Sequence, residues 1–307
     1  AGESGDPEAL RYTKMNYPIV PSDMWISSRG HHFPVMELMD REKALIKNGK
    51  YKDYDKVIFS WDSTKQNGVR WEIDMLAEPF YEFPYSSSMS KIDGAITIYQ
   101  HPDIFSTAGE IPHDMFFFVL DPYVQDNVEA GGSLGAFYGF GNPKYSGIFN
   151  GGSMICSYIG KHPNGRDGFY ENVEKILAYY GNNPRSLWYE SNQGESVRGY
   201  FIRRNKVQLL ALTPTRERGN SIYEKKTLSY GIPVYGDKLE MIGDASDYLL
   251  QQIMYNQKEV RFVETLQDIF LIRQLIAFEL KKSKNFDAVS AFILAPFVMK
   301  ELRHVQL

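Results

Sequence analysis

Met115-Phe-Phe-Phe-Val-Leu-Asp-Pro122 is the stretch on which the fold turns. An unbroken apolar run without polar alternation suits a strand buried on both faces, and such strands belong to sheets that helices cover on each side. Pro122 cannot continue the ladder, so Asp121 stands at the strand's C-terminal end. Downstream, Leu134 to Phe140 and Ser153 to Ile159 read as two more strands, separated by a Gly/Asn/Pro-rich turn. Residues 167–180 set Phe169, Val173, Ile176, Leu177 and Tyr180 on one stripe of a helix. Ser186-Leu-Trp-Tyr-Glu190 is a short strand that also ends in a carboxylate. Much later, Asn285-Phe-Asp287-Ala-Val-Ser begins a helix with Asp287 at its cap or first turn. The expected class is α/β, a mixed sheet flanked by helices.

Upstream the texture changes near residue 105. The first 105 residues are rich in Tyr, Trp, Pro and Ser and form an irregular N-terminal segment, with residues 106–307 as the main α/β unit. A helical pattern runs from Val35 to Lys47. Lys56-Val-Ile-Phe-Ser-Trp61 and Val69-Arg-Trp-Glu-Ile73 flank Asn67-Gly68, a dipeptide that tolerates positive φ, which predicts a β-hairpin.

Composition excludes several classes. With 307 residues, 43% of them hydrophobic and 23% charged, the chain can bury a core and is not a disordered tail. A net charge of −4 means that any nucleic-acid surface must be local. The one cysteine, Cys156, excludes a disulfide framework and a cysteine zinc site and fits a reducing compartment such as the cytosol. No membrane span is expected, because the apolar stretch from Ala291 to Met299 is short and carries Pro296, and the first residues lack the pattern of a signal peptide. No GxxxxGK[ST] loop occurs, so no ATPase activity is expected of this chain.

Asp121, Glu190 and Asp287 lie too far apart in sequence for a loop site, so only the fold can bring them together. Three converging carboxylates with no His or Cys cluster suit oxygen-only binding of Mg²⁺ or Mn²⁺, and two such ions can drive in-line phosphodiester hydrolysis. Taken singly, each acid has an ordinary reading: a turn former at a strand end, a solvated charge, a helix cap.

Taken together, the residues resemble the nuclease half of the large terminase subunits of tailed phages. Asp121 in Phe-Val-Leu-Asp-Pro-Tyr123 is similar to that family's first acid, Glu190 in Tyr189-Glu-Ser-Asn-Gln-Gly194 to the second, within a Glu-x-Asn pattern, and Asp287 in Phe286-Asp-Ala-Val-Ser-Ala291 to the third. Ser133-Leu-Gly-Ala-Phe-Tyr138 and Met154-Ile-Cys-Ser-Tyr-Ile-Gly-Lys161 resemble its second and third strands, and the likeness spans about residues 110 to 303. Tyr17-Pro-Ile-Val-Pro-Ser-Asp-Met-Trp25 with His32-Phe-Pro34 is similar to the segment closing the family's ATPase half, although Ser22-Asp-Met-Trp25 stands where Glu-Ala-Phe is more usual.

The resemblance implies an RNase H-like fold and a metal-dependent endonuclease that cuts double-stranded DNA during genome packaging. Asp121, Glu190 and Asp287 would hold two Mg²⁺ or Mn²⁺ ions. It also implies the host cytoplasm as location, and a portal ring, a small terminase subunit and the ATPase half of the same subunit as partners. The same acids fit a Holliday-junction resolvase or another RNase H-like nuclease. A non-enzymatic DNA-binding or portal-docking module is the remaining alternative.

Residues 198–226 carry eight bases, Arg198, Arg203, Arg204, Lys206, Arg216, Arg218, Lys225 and Lys226, against Glu217 and Glu224. Such a patch suits sequence-independent phosphate contacts, and a solvated, ion-paired helix face is the competing reading. Lys281, Lys282 and Lys284 extend the same idea. Other polar residues read as structural: Asp126 as a turn residue, Asp114 at the wrong end of the first strand, His31-His32 with diverging side chains, Cys156 in the core, and Asp244 and Asp247 at the start of a helix containing Leu249, Leu250 and Ile253.

Overall fold

A computed structural model describes residues 31–49, 53–84, 93–105, 111–123, 133–145, 152–192, 195–214, 229–234, 238–278 and 286–304. Seven strands form one mixed sheet: β1 (Asp55–Trp61), β2 (Val69–Ile73), β3 (Ile96–Ile98), β4 (Phe116–Asp121), β5 (Gly135–Gly141), β6 (Met154–Gly160) and β7 (Leu187–Tyr189). Their spatial order is β2-β1-β3-β6-β5-β4-β7. β4 pairs antiparallel with β5 and parallel with β7.

Every residue of β4 is buried, and the reason is visible in how its side chains divide. Phe117 and Val119 enter one core, whereas Phe116, Phe118 and Leu120 enter the other. The second core is closed by α2 (Gly165–Tyr179) and α3 (Glu195–Arg203), through residues such as Phe169, Val173, Val197 and Phe201. The first is closed by α6 (Asp287–His304), whose Val289, Phe292 and Ile293 are buried. Outside α6 lie α1 (Val35–Asn48), α4 (Lys238–Leu250) and α5 (Ile269–Ala277), which add Leu38, Met241 and Leu271 to the same core. A helix apolar on all sides is thereby accounted for, since α6 meets sheet on one side and helices on the other.

The expected helix at Val35 and the expected strands at 115, 134, 153 and 186 all form, within a residue or two of the predicted ends. The hairpin forms too, with Val57 opposite Ile73 and Trp61 opposite Val69. Asn67-Gly68 closes a longer loop rather than making the whole turn, with Gly68 at φ 78° and its carbonyl accepting from the Asp62 N–H at 2.8 Å. The change of texture near residue 105 does not interrupt the sheet, because β3 pairs with both β1 and β6.

One expectation is corrected. Asp244 and Asp247 do not start a helix; α4 begins at Lys238, because its buried stripe opens earlier, at Met241 and Ile242. Ile253 belongs to β8 (Gln252–Tyr255), paired with β9 (Lys258–Arg261). Among the described residues no helix is long and apolar enough to cross a membrane.

Asp268 caps α5, its carboxylate accepting from the Leu271 N–H at 3.0 Å. Capping alone would lower its pKa, but burial outweighs it and pushes the group from 3.8 to about 6. The folded state therefore binds this proton more tightly than the unfolded chain, and the stability it contributes is present below pH 4 and lost as pH rises through 6. Asp268→Asn keeps the capping oxygen and removes the titration. In urea melts it should match the native chain near pH 4 and exceed it by roughly 2–3 kcal/mol at pH 8; equal stability at both values would contradict the burial argument.

Candidate metal centre

Strand register brings the first two acids together. Leu120 lies opposite Tyr189 in the parallel pair, and the Glu190 N–H donates to the Leu120 carbonyl at 3.1 Å, so Asp121 and Glu190 end neighbouring strands side by side. Side-chain alternation gives them a common face. Phe117 and Val119 point to the α6 side of β4, and Trp188 packs against that same core, so Asp121 and Glu190, each two residues on, follow them. Ile232 flanks Glu190 on its other side, its N–H donating to the Tyr189 carbonyl at 2.8 Å. That approach demands Gly231, which sits at φ 80° and whose added Cβ would meet the Tyr189 carbonyl oxygen at 2.7 Å.

Asp287 arrives from a different direction, as the first residue of α6. It accepts from the Ser133 hydroxyl at 2.5 Å and from the Leu134 N–H at 3.0 Å, which fixes both carboxylate oxygens to the chain entering β5. Because Ala136 opposes Asp121 and Gly135 opposes Gly160, Leu134 sits between the chain leaving β4 and the chain leaving β6.

Asp121 feels both of the other acids. Asp121 is 8% exposed and Asp287 5%. Burial raises the Asp121 pKa well above the carboxylate range, and the charges of Asp287 and Glu190 raise it further. Glu190 is raised by burial. Asp287 is also raised by burial, although its hydrogen bonds from Ser133 and Leu134 and the charge of Lys161 pull it back. Lys238, the first residue of α4, acts the same way on Asp121 and Glu190.

An oxygen-only donor set of two buried carboxylates and a half-buried third, with repulsion felt at Asp121, is the chemistry that suits Mg²⁺ or Mn²⁺. The buried Oδ1 of Asn192, two residues past Glu190, has no hydrogen-bond partner and is an acceptor of the same kind. Among the described residues, however, no three His, Cys, Asp or Glu side chains close around a point as a finished ligand cage. Asp287 leans onto β5, so a shared ion would require it to be recruited toward Asp121.

The basic segment divides. Arg204 bonds the buried carboxylate of Glu174 at 3.2 Å, which Tyr200 also holds at 2.9 Å. Arg203 makes a two-oxygen contact with Asp167 at 2.9 and 3.0 Å. For these two, the ion-paired helix face is what the fold shows, because each has an acidic partner on α2. Arg198 is exposed over the Tyr230 ring at 5.8 Å, beside the Gly231-Ile232 segment that flanks Glu190. Lys206 is half-buried just past α3. Arg216, Arg218, Lys225, Lys226, Lys281, Lys282, Lys284 and Asp126 lie outside the described residues, as does the segment from Tyr17 to Trp25.

Of the discounted residues, Asp114 does lie at the opposite end of β4, bound to Lys144 at 2.5 Å and Tyr145 at 2.6 Å. Cys156 is a buried free thiol, and His32 packs edge-on against Phe278 at 6.0 Å. Sequence reading passed over Lys161 and Lys238. Each carried a signal: Lys161 breaks an apolar strand at its C-terminal end, and Lys238 opens a helix, where a cation is disfavoured. No protein-family model matches the chain, and no curated protein sequence matches it.

Mutual repulsion sets a testable cost. Since the Asp121 pKa is raised in the folded state, the stability this group contributes is full below the ordinary carboxylate range and is lost as pH rises through the raised value. In EDTA, Asp121→Asn should therefore melt higher than the native chain at pH 8, with the gap closing toward pH 4. A lower melting temperature at pH 8 would mean that the carboxylate is held by favourable partners instead.

Proposed function

We propose that this chain is a metal-dependent endonuclease of RNase H-like fold, the DNA-cutting part of a packaging enzyme of the large-terminase type. The observation that supports the reading is that Asp121 and Glu190 end neighbouring strands side by side, while the charge of Asp287, at the start of α6, reaches Asp121. A covered mixed sheet with two strand-end acids and a third at the start of the covering helix is the arrangement this reading needs.

When bound, two Mg²⁺ or Mn²⁺ ions supply a nucleophilic hydroxide and stabilise the leaving 3′ oxygen. Asp121 and Glu190, fixed by adjoining strands, hold that charge at the edge of the sheet. Asp287, held by Ser133 and Leu134 over the entry to β5, would turn toward Asp121 to add the carboxylate of α6. In the net reaction water adds to phosphorus and the P–O3′ bond breaks, leaving a 5′ phosphate and a 3′ hydroxyl. Arg198, exposed over the Tyr230 ring, is a base free to meet the flanking backbone at the rim, whereas Arg204 serves the fold.

Supercoiled plasmid incubated with the chain and Mn²⁺ or Mg²⁺ should be nicked and linearised, with no cutting in EDTA. Asp121→Asn and Asp287→Asn should each slow cutting by more than about 100-fold, beyond the loss typical of groups that only support a ligand, and the double variant should be hardly worse than either. Metal-independent binding without cutting would favour the DNA-binding module, and strong preference for branched DNA would favour a resolvase.

Arg198 and Arg204 should separate in the same preparations. Arg198→Ala should weaken binding to all DNA sequences and flatten the salt dependence by about one unit per lost phosphate contact. Arg204→Ala should leave DNA affinity unchanged and cost roughly 1–3 kcal/mol of stability, since Glu174 loses a donor while buried. The opposite pattern would put Arg204 on the DNA.

A further inference from the structure

Lys161 is 5% exposed and follows Gly160 at the carboxyl end of β6. A buried ammonium loses several kcal/mol of hydration, and a fold that needed only bulk there would do as well with methionine. Its surroundings are those of the carboxylate site. Continuing the β5–β6 register puts Lys161 opposite Leu134, whose N–H holds Asp287, and its Nζ lies 5.8 Å from the ring centre of Tyr123, two residues past Asp121. Its charge acts on Asp287, whereas that of Lys238 acts on Asp121 and Glu190.

The edge of the sheet is therefore polarised. Glu190 and Asp121 stand side by side at the ends of β7 and β4. Asp287 lies over the entry to β5, and Lys161 ends β6, two strand spacings or roughly 10 Å of backbone from Asp121. Both oxygens of Asp287 already accept from Ser133 and Leu134, so Lys161 is not required to satisfy them. What the row has is a cation on the side away from Glu190, held over the Tyr123 ring and within electrostatic reach of Asp287.

We infer that Lys161 is a catalytic residue that contacts a non-bridging oxygen of the scissile phosphodiester, on the side opposite the Asp121–Glu190 pair. The inference rests on the nuclease reading above. A phosphate spanning the entry to β5 would be gripped from both ends, and the fixed ammonium would oppose the charge that builds on its oxygens as the water adds. Ammonium, unlike a bound ion, stays in place when metal leaves.

The test compares Lys161→Met and Lys161→Arg with the native chain in plasmid cleavage at saturating Mn²⁺, in Mn²⁺ binding by calorimetry without DNA, and in thermal melting. Contact with the phosphate predicts that Lys161→Met cuts at least about 100-fold slower, the loss typical of one stabilising donor, while Mn²⁺ binds no more weakly than to the native chain. Lys161→Arg, which keeps the charge, should cut at least about tenfold faster than the Met variant. Should Lys161→Met fail to fold, Lys161→Gln takes its place in the comparison. Equal cutting by the Arg and neutral variants, or a cleavage defect fully explained by weaker Mn²⁺ binding, overturns the inference and leaves the nuclease reading standing. A native chain that does not cut overturns both.

Discussion

Carboxylates at the rim of a sheet are ordinarily cheap, because water reaches them. Here a buried helix is laid over that rim, Asp121 and Asp287 are shut in beside the half-buried Glu190, and burial raises the pKa of all three, which turns a cheap feature into a costly one. Much of the surrounding structure can be understood as accommodating it. Ser133 and Leu134 supply hydrogen bonds to Asp287, Lys161 and Lys238 bring opposite charge, and the parallel ladder of β4 with β7 keeps Asp121 and Glu190 from moving apart. Such a concentration of like charge costs stability, and it is the feature on which the proposed function rests.

The frame that holds the cluster was legible in the sequence wherever burial on both faces left an apolar run. Residues 115–120 show this best, since no other local structure explains six consecutive apolar side chains ended by Asp-Pro. The strands at 134 and 153, the helix at 167 and the start of α6 follow from periodicity and caps in the same way. Only three residues long, β3 has too few for any period to show. The beginning of α4 was hidden because Lys238 and Glu240 precede the first buried pair, so the eye settles on Asp244 and Asp247, which look like caps.

The site was half legible. Strand-end position marks Asp121 and Glu190, but that they are neighbours follows from the parallel register, a long-range fact that no local pattern carries. The lysines were missed for the same reason: a lone Lys after a strand is common, and only the packing of β5 beside β6 reveals that Lys161 is buried near an acid. In the other direction, the run of bases after Arg198 looked like one surface. The fold splits it, because α2 presents Asp167 and Glu174 to Arg203 and Arg204, and charge counts along a sequence cannot see a facing helix.

The hydrogen bond from the Leu134 amide to Asp287 has a reach beyond the site. It joins the tip of α6 to the sheet, and α6 is the helix against which α4 and α5 pack, with α1 beyond α5. Whatever changes the charge on that carboxylate also changes how firmly the central helix is docked. The charge of Asp287 and the cohesion of one half of the molecule are thus two readings of a single equilibrium. The exchange rate of the residue 134 amide therefore gauges how firmly Asp287 is held against the sheet.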